Sequence, residues 1–352
     1  MVEMIWMLLK NIYPINSQII GFFNLNDMEV IKMGEEYLRI IAIGLTFHFL
    51  NPIFSTTLNS TGNSVTPFKL NALGLIVNMV LDPILIFGLG PIPSLGVKGA
   101  AMATIFAQFI VSIVFIFLGL KSNSIYSHVN LFIKPDFKYI KDMVKLGFPP
   151  FVQTAIHSGM SMVLTRIVAE FGDTAVAVLN IGSQIESIAW MSAEGFSSAI
   201  SAFVGQNFGA KKLDRIKAGY HKGMEILGSI GIFASILLIF GARPLFTIFT
   251  PKDPLAISEG TKYLRILGLS QFFMTTEIGT AGAFNGIGKT LPPTLIGIVF
   301  NIFRIPLALI LSRTSLGLLG IWWSISISSI IKGTLSPIVY NYVLKHRLEE
   351  LI

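Results

Sequence analysis

Cysteine is absent from the 352 residues, so neither a disulfide framework nor a thiolate metal site can form. Charge is scarce too: Asp, Glu, Lys and Arg make up 13% of the chain, about half of the ~25% usual in soluble domains. There is no His-Glu-x-x-His pair, no Gly-x4-Gly-Lys-Ser/Thr loop and no Gly-x-Ser-x-Gly elbow. Common zinc-hydrolase, ATP-driven and serine-nucleophile chemistries are therefore not expected, and neither is a cofactor. Met1 to Met7 carry Glu3 and no leading basic residue, unlike a cleaved signal peptide.

What is present is apolar. Hydrophobic residues reach 53% and the mean hydropathy is +0.71. So little charge cannot cover the outside of so apolar a chain in water, which excludes a disordered protein, a small secreted module and a soluble enzyme. The net charge of +7 suggests a nucleic-acid partner only until the membrane is considered, because cytoplasmic loops collect Lys and Arg. The composition reads as a polytopic membrane protein, with lipid as its surroundings and no nucleic acid as partner.

A membrane-crossing helix needs ~20 mostly apolar residues. Ten segments qualify: 5–23, 38–58, 68–89, 100–120, 148–169, 174–204, 224–249, 264–284, 295–312 and 318–344. Alternating their sides gathers Lys134, Lys138, Lys141, Lys145, Lys211, Lys212, Arg215, Lys217 and Lys222 on one face, with Lys345 and Arg347. The positive-inside rule makes that face, and the C-terminus, cytoplasmic. The expected location is the plasma membrane.

The chain repeats itself. At an offset of 226, Tyr37-Leu38-Arg39-Ile40 matches Tyr263-Leu264-Arg265-Ile266, and Asn59, Gly62 and Pro67 match Asn285, Gly288 and Pro293. With small gaps, Asn78 and Pro83 then match Asn301 and Pro306, and Leu95-Gly96 and Gly99 match Leu316-Gly317 and Gly320. Both copies start on the same side, so the repeat is parallel, about an axis along the membrane normal. Spans 148–169 and 174–204 precede the second copy and have no counterpart before the first. The expected fold class is an all-α membrane bundle of four plus six helices, a six-plus-six architecture short of its first two spans. The expected domains are an N-terminal lobe (1–120), a cytoplasmic linker (121–146) and a C-terminal lobe (147–352). Within the linker, 136–146 has the pattern of a short amphipathic helix on the inner surface.

An ionisable group inside the bilayer costs ~2.5–3.5 kcal/mol on insertion scales and so calls for a reason. Asp82 lies in Asn78-Met79-Val80-Leu81-Asp82-Pro83. Asn78 and Asp82, four apart, share a helix face, and Pro83 deprives the Met79 carbonyl of its helical partner. A carboxylate, an amide and a freed carbonyl within one turn suit a proton or a hard cation such as Na+. The alternative is a kinked helix whose acid bridges to a neighbour. The second copy has Arg304-Ile305-Pro306 there, so the kink at Pro83 and Pro306 repeats and the acid does not. Gln153, His157, Gln184, Glu186, Glu194 and Glu277 are candidates for a substrate cavity in the second half. Glu186 has an equally good alternative as a bridge to Arg166 or another buried base, and Glu194, eight residues on, projects to a similar side.

The run 78–88, the run Leu95-Gly96-Val97-Lys98-Gly99-Ala100-Ala101-Met102-Ala103-Thr104, the segment Glu194-Gly195-Phe196-Ser197 with Val204-Gly205-Gln206-Asn207, and Gly286-Ile287-Gly288-Lys289-Thr290 together resemble the multidrug and toxic compound extrusion (MATE) transporters. The resemblance covers essentially the whole chain. It implies two six-helix lobes around a V-shaped cavity and export of cationic or amphiphilic small molecules, such as drugs, in exchange for H+ or Na+. It also implies a monomer, no enzymatic activity and a cation-coupling site on Asn78, Asp82 and Thr104. The first-helix Asp of that site has no counterpart here, and the C-lobe acidic pair of some members falls on His157 and Met274, with Glu277 nearby. A lipid-linked sugar flippase of the same superfamily and a truncated, inactive remnant are the alternatives.

Overall fold

The computed structural model describes residues 28–119 and 136–346. Among them are eleven α-helices and no sheet; one isolated bridge, Leu89 to Ile92, closes a turn. The chain divides into two compact units, Met1–Lys134 and Pro135–Ile352.

The first unit contains α1 (Met28–Ser60), α2 (Val65–Phe87) and α3 (Gly96–Gly119). α2 stops where Gly88 takes a φ of 79°, a left-handed conformation that suits glycine. Gly99 lets α3 press against α2, since a Cβ there would strike the Leu85 carbonyl. Leu70, Val111 and Phe115 form the small core, with Phe54 stacked on Phe115 at 5.4 Å. α1 and α3 are also joined by a polar clamp. Buried Asn51 donates to the Gln108 side chain at 2.6 Å and to its carbonyl at 3.0 Å, and accepts from Ser112 at 2.7 Å. Such bonds tie helices together where apolar surroundings offer no other partner.

The second unit contains α4 (Phe137–Ala169), α5 (Asp173–Gly209), α6 (Leu213–Phe240), α7 (Ala242–Phe249), α8 (Pro254–Gly268), α9 (Gln271–Gly286), α10 (Leu291–Ser312) and α11 (Leu318–His346). Asp136 caps α4 through the Lys138 amide, and Asp253 caps α8 through Ala256, with Pro254 as its first residue. One core gathers Tyr263, Leu264, Phe246, Ile321 and Trp322; another gathers Tyr220, Phe284, Leu227 and Tyr340.

Among the described residues six helices are long and apolar enough to cross a membrane: the spans Ile31–Ser60, Val65–Phe87, Gly96–Gly119, Leu213–Phe240, Leu291–Ser312 and Leu318–His346. The expected span 5–23 lies outside the described residues. Expected spans 148–169 and 174–204 fall in α4 and α5, 33 and 37 residues long but more polar along their length. The expected span 264–284 is not continuous: α8 ends at Gly268 and α9 begins at Gln271, with the Ser270 hydroxyl turned back onto Leu267. Segment 224–249 is interrupted at Gly241. Residues 137–146 are no separate surface helix; they run through Pro149 and Pro150 into the rest of α4.

The duplication is visible in the backbone. Gly62 and its counterpart Gly288 have φ of 87° and 69°, and Gly96 and its counterpart Gly317 have 55° and 52°. Pro83 and Pro306 both lie inside helices that continue past them. The clamp residue Asn51 corresponds to Glu277, which pairs at 3.0 Å with Lys332 of α11; the two side chains are only 16% and 10% exposed. α9 and α11 are further locked by Gly333, whose missing side chain admits the Phe273 backbone, and by Thr276 bonded to the Gly333 carbonyl. The same inter-helix position thus holds a neutral clamp in one unit and an ion pair in the other.

Removing one member of a buried pair strands the other charge, at a cost of about 3–5 kcal/mol. Lys332→Met is therefore expected to lower the thermal unfolding temperature of the purified protein markedly. The double change Glu277→Gln with Lys332→Met should regain most of that loss, as followed by unfolding in detergent.

Candidate functional site

In the first unit the expected pair is formed. The Asn78 amide donates to the Asp82 carboxylate at 3.4 Å, and both residues are half-buried on α2. Thr104 stands on the neighbouring α3. Measured from the Leu85–Gly99 crossing, the ~1.5 Å rise per residue puts Asp82 and Thr104 within roughly 3 Å of the same depth. The Thr104 hydroxyl donates to the Ala100 carbonyl of its own helix at 3.0 Å. It is therefore not bonded to the pair through its proton, although its lone pairs still point outward as acceptors. Pro83 has no amide hydrogen, which leaves the Met79 carbonyl without its helical donor. The oxygens of Asp82, Asn78, Met79 and Thr104 match the donor preference of a hard cation. Among the described residues no group of three or more His, Asp or Glu could hold a metal ion.

Beside this pair, the same unit has a wholly apolar groove of about 540 Å³ lined by Ile40, Ile43, Phe47, Leu81, Leu85, Met102, Ile105, Phe106 and Phe109.

In the second unit the candidate residues separate into engaged and open groups. Gln153 lies flat on α10, where Gly297 leaves space for its amide. Glu186 is held from two helices, accepting from the Tyr263 hydroxyl at 3.1 Å and from Gln271 Nε2 at 2.9 Å. Glu277 is paired with Lys332. By contrast, His157, Gln184 and Glu194 are exposed on the unit's surface.

Two expectations for Glu186 are corrected here. Arg166 is exposed and is no bridge to it; the base acting on Glu186 is Arg304, which also donates to Ser328 at 3.0 Å. Glu194 does not share its surroundings either, because eight residues turn a helix by ~80° beyond whole turns, taking one acid inward and the other outward. Charges couple around this cluster: Arg304, Lys332 and Glu277 act on His157, and Glu277 acts on Glu194. Tyr263, Gln271 and the Asn51 clamp were not among the expected site residues. Tyr263 is visible in the sequence only as a repeat marker matching Tyr37, and nothing near Gln271 signals its partner.

Comparison with known proteins supplies the family. The family model described as MatE matches residues 5–84 and 149–310. A probable multidrug resistance protein NorM of Thermotoga maritima is 29% identical over 95% of this chain and 72% of its own length. The multidrug export protein MepA of Staphylococcus aureus is 22% identical over the same shares, and an FAD transporter of Shewanella oneidensis is 24% identical over 85% of this chain and 66% of its own length. The chain thus spans about two thirds to three quarters of these relatives. Among solved structures, an outward-facing multidrug resistance MATE family transporter of the MOP superfamily superposes with a TM-score of 0.90, at 20% identity, over 99% of this chain and 77% of its own. A helical membrane fold, an acid beside a proline within an apolar helix, and a matching family model covering both units lead to one assignment: the chain belongs to the MATE family of membrane transporters, which are not enzymes.

Proposed function

We propose that this protein is a secondary exporter that moves cationic or amphiphilic small molecules outward in exchange for H+ or Na+. The observation that carries the reading is the Asn78–Asp82 pair, one residue before Pro83, inside the apolar helix α2. The relatives named for multidrug resistance and export agree with it in cargo class.

The mechanism follows from the chemistry of that turn. A proton on Asp82, or Na+ held by Asp82, Asn78 and the freed Met79 carbonyl with Thr104 as a further oxygen donor, neutralises the only acid on the helix. α2 lacks a hydrogen bond at Pro83 and is easiest to bend there. Cation binding therefore biases the bend, and the outward- and inward-open populations shift by the difference in cation affinity between them. Cargo leaves in the conformation that holds the cation, and release of the cation inside resets the carboxylate.

For the cargo face we place the open residues His157, Gln184 and Glu194, and we assign the engaged Gln153, Glu186 and Glu277 to other roles. Arg304 and Lys332, the bases a pyrophosphate cargo would need, already have Ser328 and Glu277 as partners. Among the open candidates His157, Gln184 and Glu194, the carboxylate is that of Glu194, which favours a cationic cargo over a lipid-linked sugar. In this reading residues 1–120 and 147–352 form the two lobes of a monomer in the plasma membrane, with the C-terminus in the cytoplasm.

Asp82→Asn is expected to abolish gradient-driven efflux of a fluorescent cationic dye while leaving expression unchanged; wild-type efflux rates in that variant reject the coupling role. Glu194→Gln should raise the KM for organic cations several-fold and leave a neutral amphiphile unaffected, and equal losses for both would remove Glu194 from the cargo face. A green fluorescent protein fused after Ile352 should fluoresce, and alkaline phosphatase fused there should be inactive; the reverse pattern inverts the topology.

A further inference from the structure

The Glu186 carboxylate is enclosed by three helices of the second unit. Gly182, one turn earlier on α5, has no side chain, and the Tyr263 ring of α8 occupies the space. That ring meets the indole of fully buried Trp322 edge-on at 4.8 Å. Tyr263 donates to one carboxylate oxygen and Gln271 of α9 to the other. The charged and titratable side chains acting on Glu186 are Tyr263 and, from α10, Arg304; Arg304 in turn feels Glu277 of α9.

An independent feature lies beside it. Gln271 is 1% exposed, and its Nε2 also donates to the Leu267 carbonyl at 3.3 Å, yet its Oε1 has no partner among the described residues. Buried acceptors are almost always satisfied, so one left open next to a buried acid needs a reason. The reason lies in what a carboxyl group requires in its two states. Ionised, it accepts only, and Gln271 Nε2 with the Tyr263 hydroxyl supply two donors. Protonated, it carries an O–H that must find an acceptor. A half-turn of the Gln271 amide brings Oε1 to face it, while Tyr263 still donates to the other oxygen. Glu186 then makes two hydrogen bonds in either state, and the turned amide gives up its bond to the Leu267 carbonyl, leaving Nε2 as the spare atom in place of Oε1. A carboxylate kept for structure alone gains nothing from a stranded acceptor.

We propose that Glu186, with Gln271 and Tyr263, is a proton-binding site internal to the second unit. It takes up one proton from water on a carboxylate oxygen and returns it to water, with no other bond made or broken. In its charged state it attracts Arg304, two residues before Pro306 of α10; protonation removes that attraction. The site acts on the second proline helix as Asp82 acts on the first, although it reaches that helix from a different position. It does not depend on the Asn78–Asp82 reading, and its test requires neither cargo nor gradient.

The test is infrared difference spectroscopy of the purified full chain in lipid nanodiscs, recorded between acidic and alkaline pH. A protonated-carboxyl C=O stretch is expected in the wild type and lost in Glu186→Gln. The same stretch should persist in Asp82→Asn and move to higher frequency in Gln271→Leu and in Tyr263→Phe, each of which removes one hydrogen bond to the group. Identical spectra for wild type and Glu186→Gln overturn the proposal, as does a band that neither Gln271→Leu nor Tyr263→Phe displaces. If Glu186→Gln does not fold, the displaced band in the other two variants decides the matter alone.

Discussion

A polar side chain in an apolar helix bundle must find a partner on another helix or remain unsatisfied, and much of this molecule is arranged around that requirement. Water is not at hand to substitute, so each buried amide, hydroxyl or charge names a neighbouring helix. Asn51 selects Gln108 and Ser112, Glu277 selects Lys332, and Glu186 selects Tyr263 and Gln271. Apolar contacts bring these helices together without specifying rotation; the polar pairs restrict it. Glycines then set the distance: Gly99, Gly182, Gly297 and Gly333 each admit a backbone or a side chain where a Cβ could not fit.

This division explains what the sequence disclosed and what it withheld. Membrane character, the parallel repeat and the acid next to Pro83 are legible because each is local or periodic. Asn78 and Asp82 are four residues apart, and helix geometry alone predicts that they meet. The partners of Glu186 lie 77 and 85 residues away, and the clamp on Asn51 bridges 57. No spacing rule encodes such pairings, so the sequence leaves Glu186 open between a free acid and a bridge and does not name Tyr263, Gln271 or the Lys332 partner of Glu277. The helix break between Gly268 and Gln271 was hidden for a related reason. The stretch carries no proline, and the break is marked instead by Ser270 folding back onto Leu267 and by Gly268 meeting Ile239.

Duplicated units with one backbone plan carry their polar groups at different places. Asn51 and Glu277 are equivalent positions whose partners are not: Asn51 bonds Gln108 and Ser112, the counterparts of Ser329 and Gly333, whereas Glu277 pairs with Lys332, the counterpart of Val111. Leu81, in the apolar groove of the first unit, corresponds to Arg304 in the second, and Ile105 to Ser326, whose hydroxyl donates to the Ile266 carbonyl. Asp82 corresponds to Ile305. At these last three positions one unit is polar where the other is apolar.

That alternation bears on how a two-unit transporter avoids working against itself. Two identical acid-proline helices would load and release their cations together, and each conformation would bind both or neither. Shifting the acid from α2 in one unit to α5 in the other keeps a proline in each of the paired helices α2 and α10 but separates the groups that act on them. On the two proposals made above, Asp82 acts on its own helix, one residue from the proline, and Glu186 acts across space, through Arg304. The first arrangement responds to a cation that enters that helix turn, the second to the hydrogen-bond state of a buried amide. With different chemistry at each proline, the two units can hold different cation affinities in one conformation. Such a difference is what an exchanger needs if binding on one side of the membrane is to be followed by release on the other.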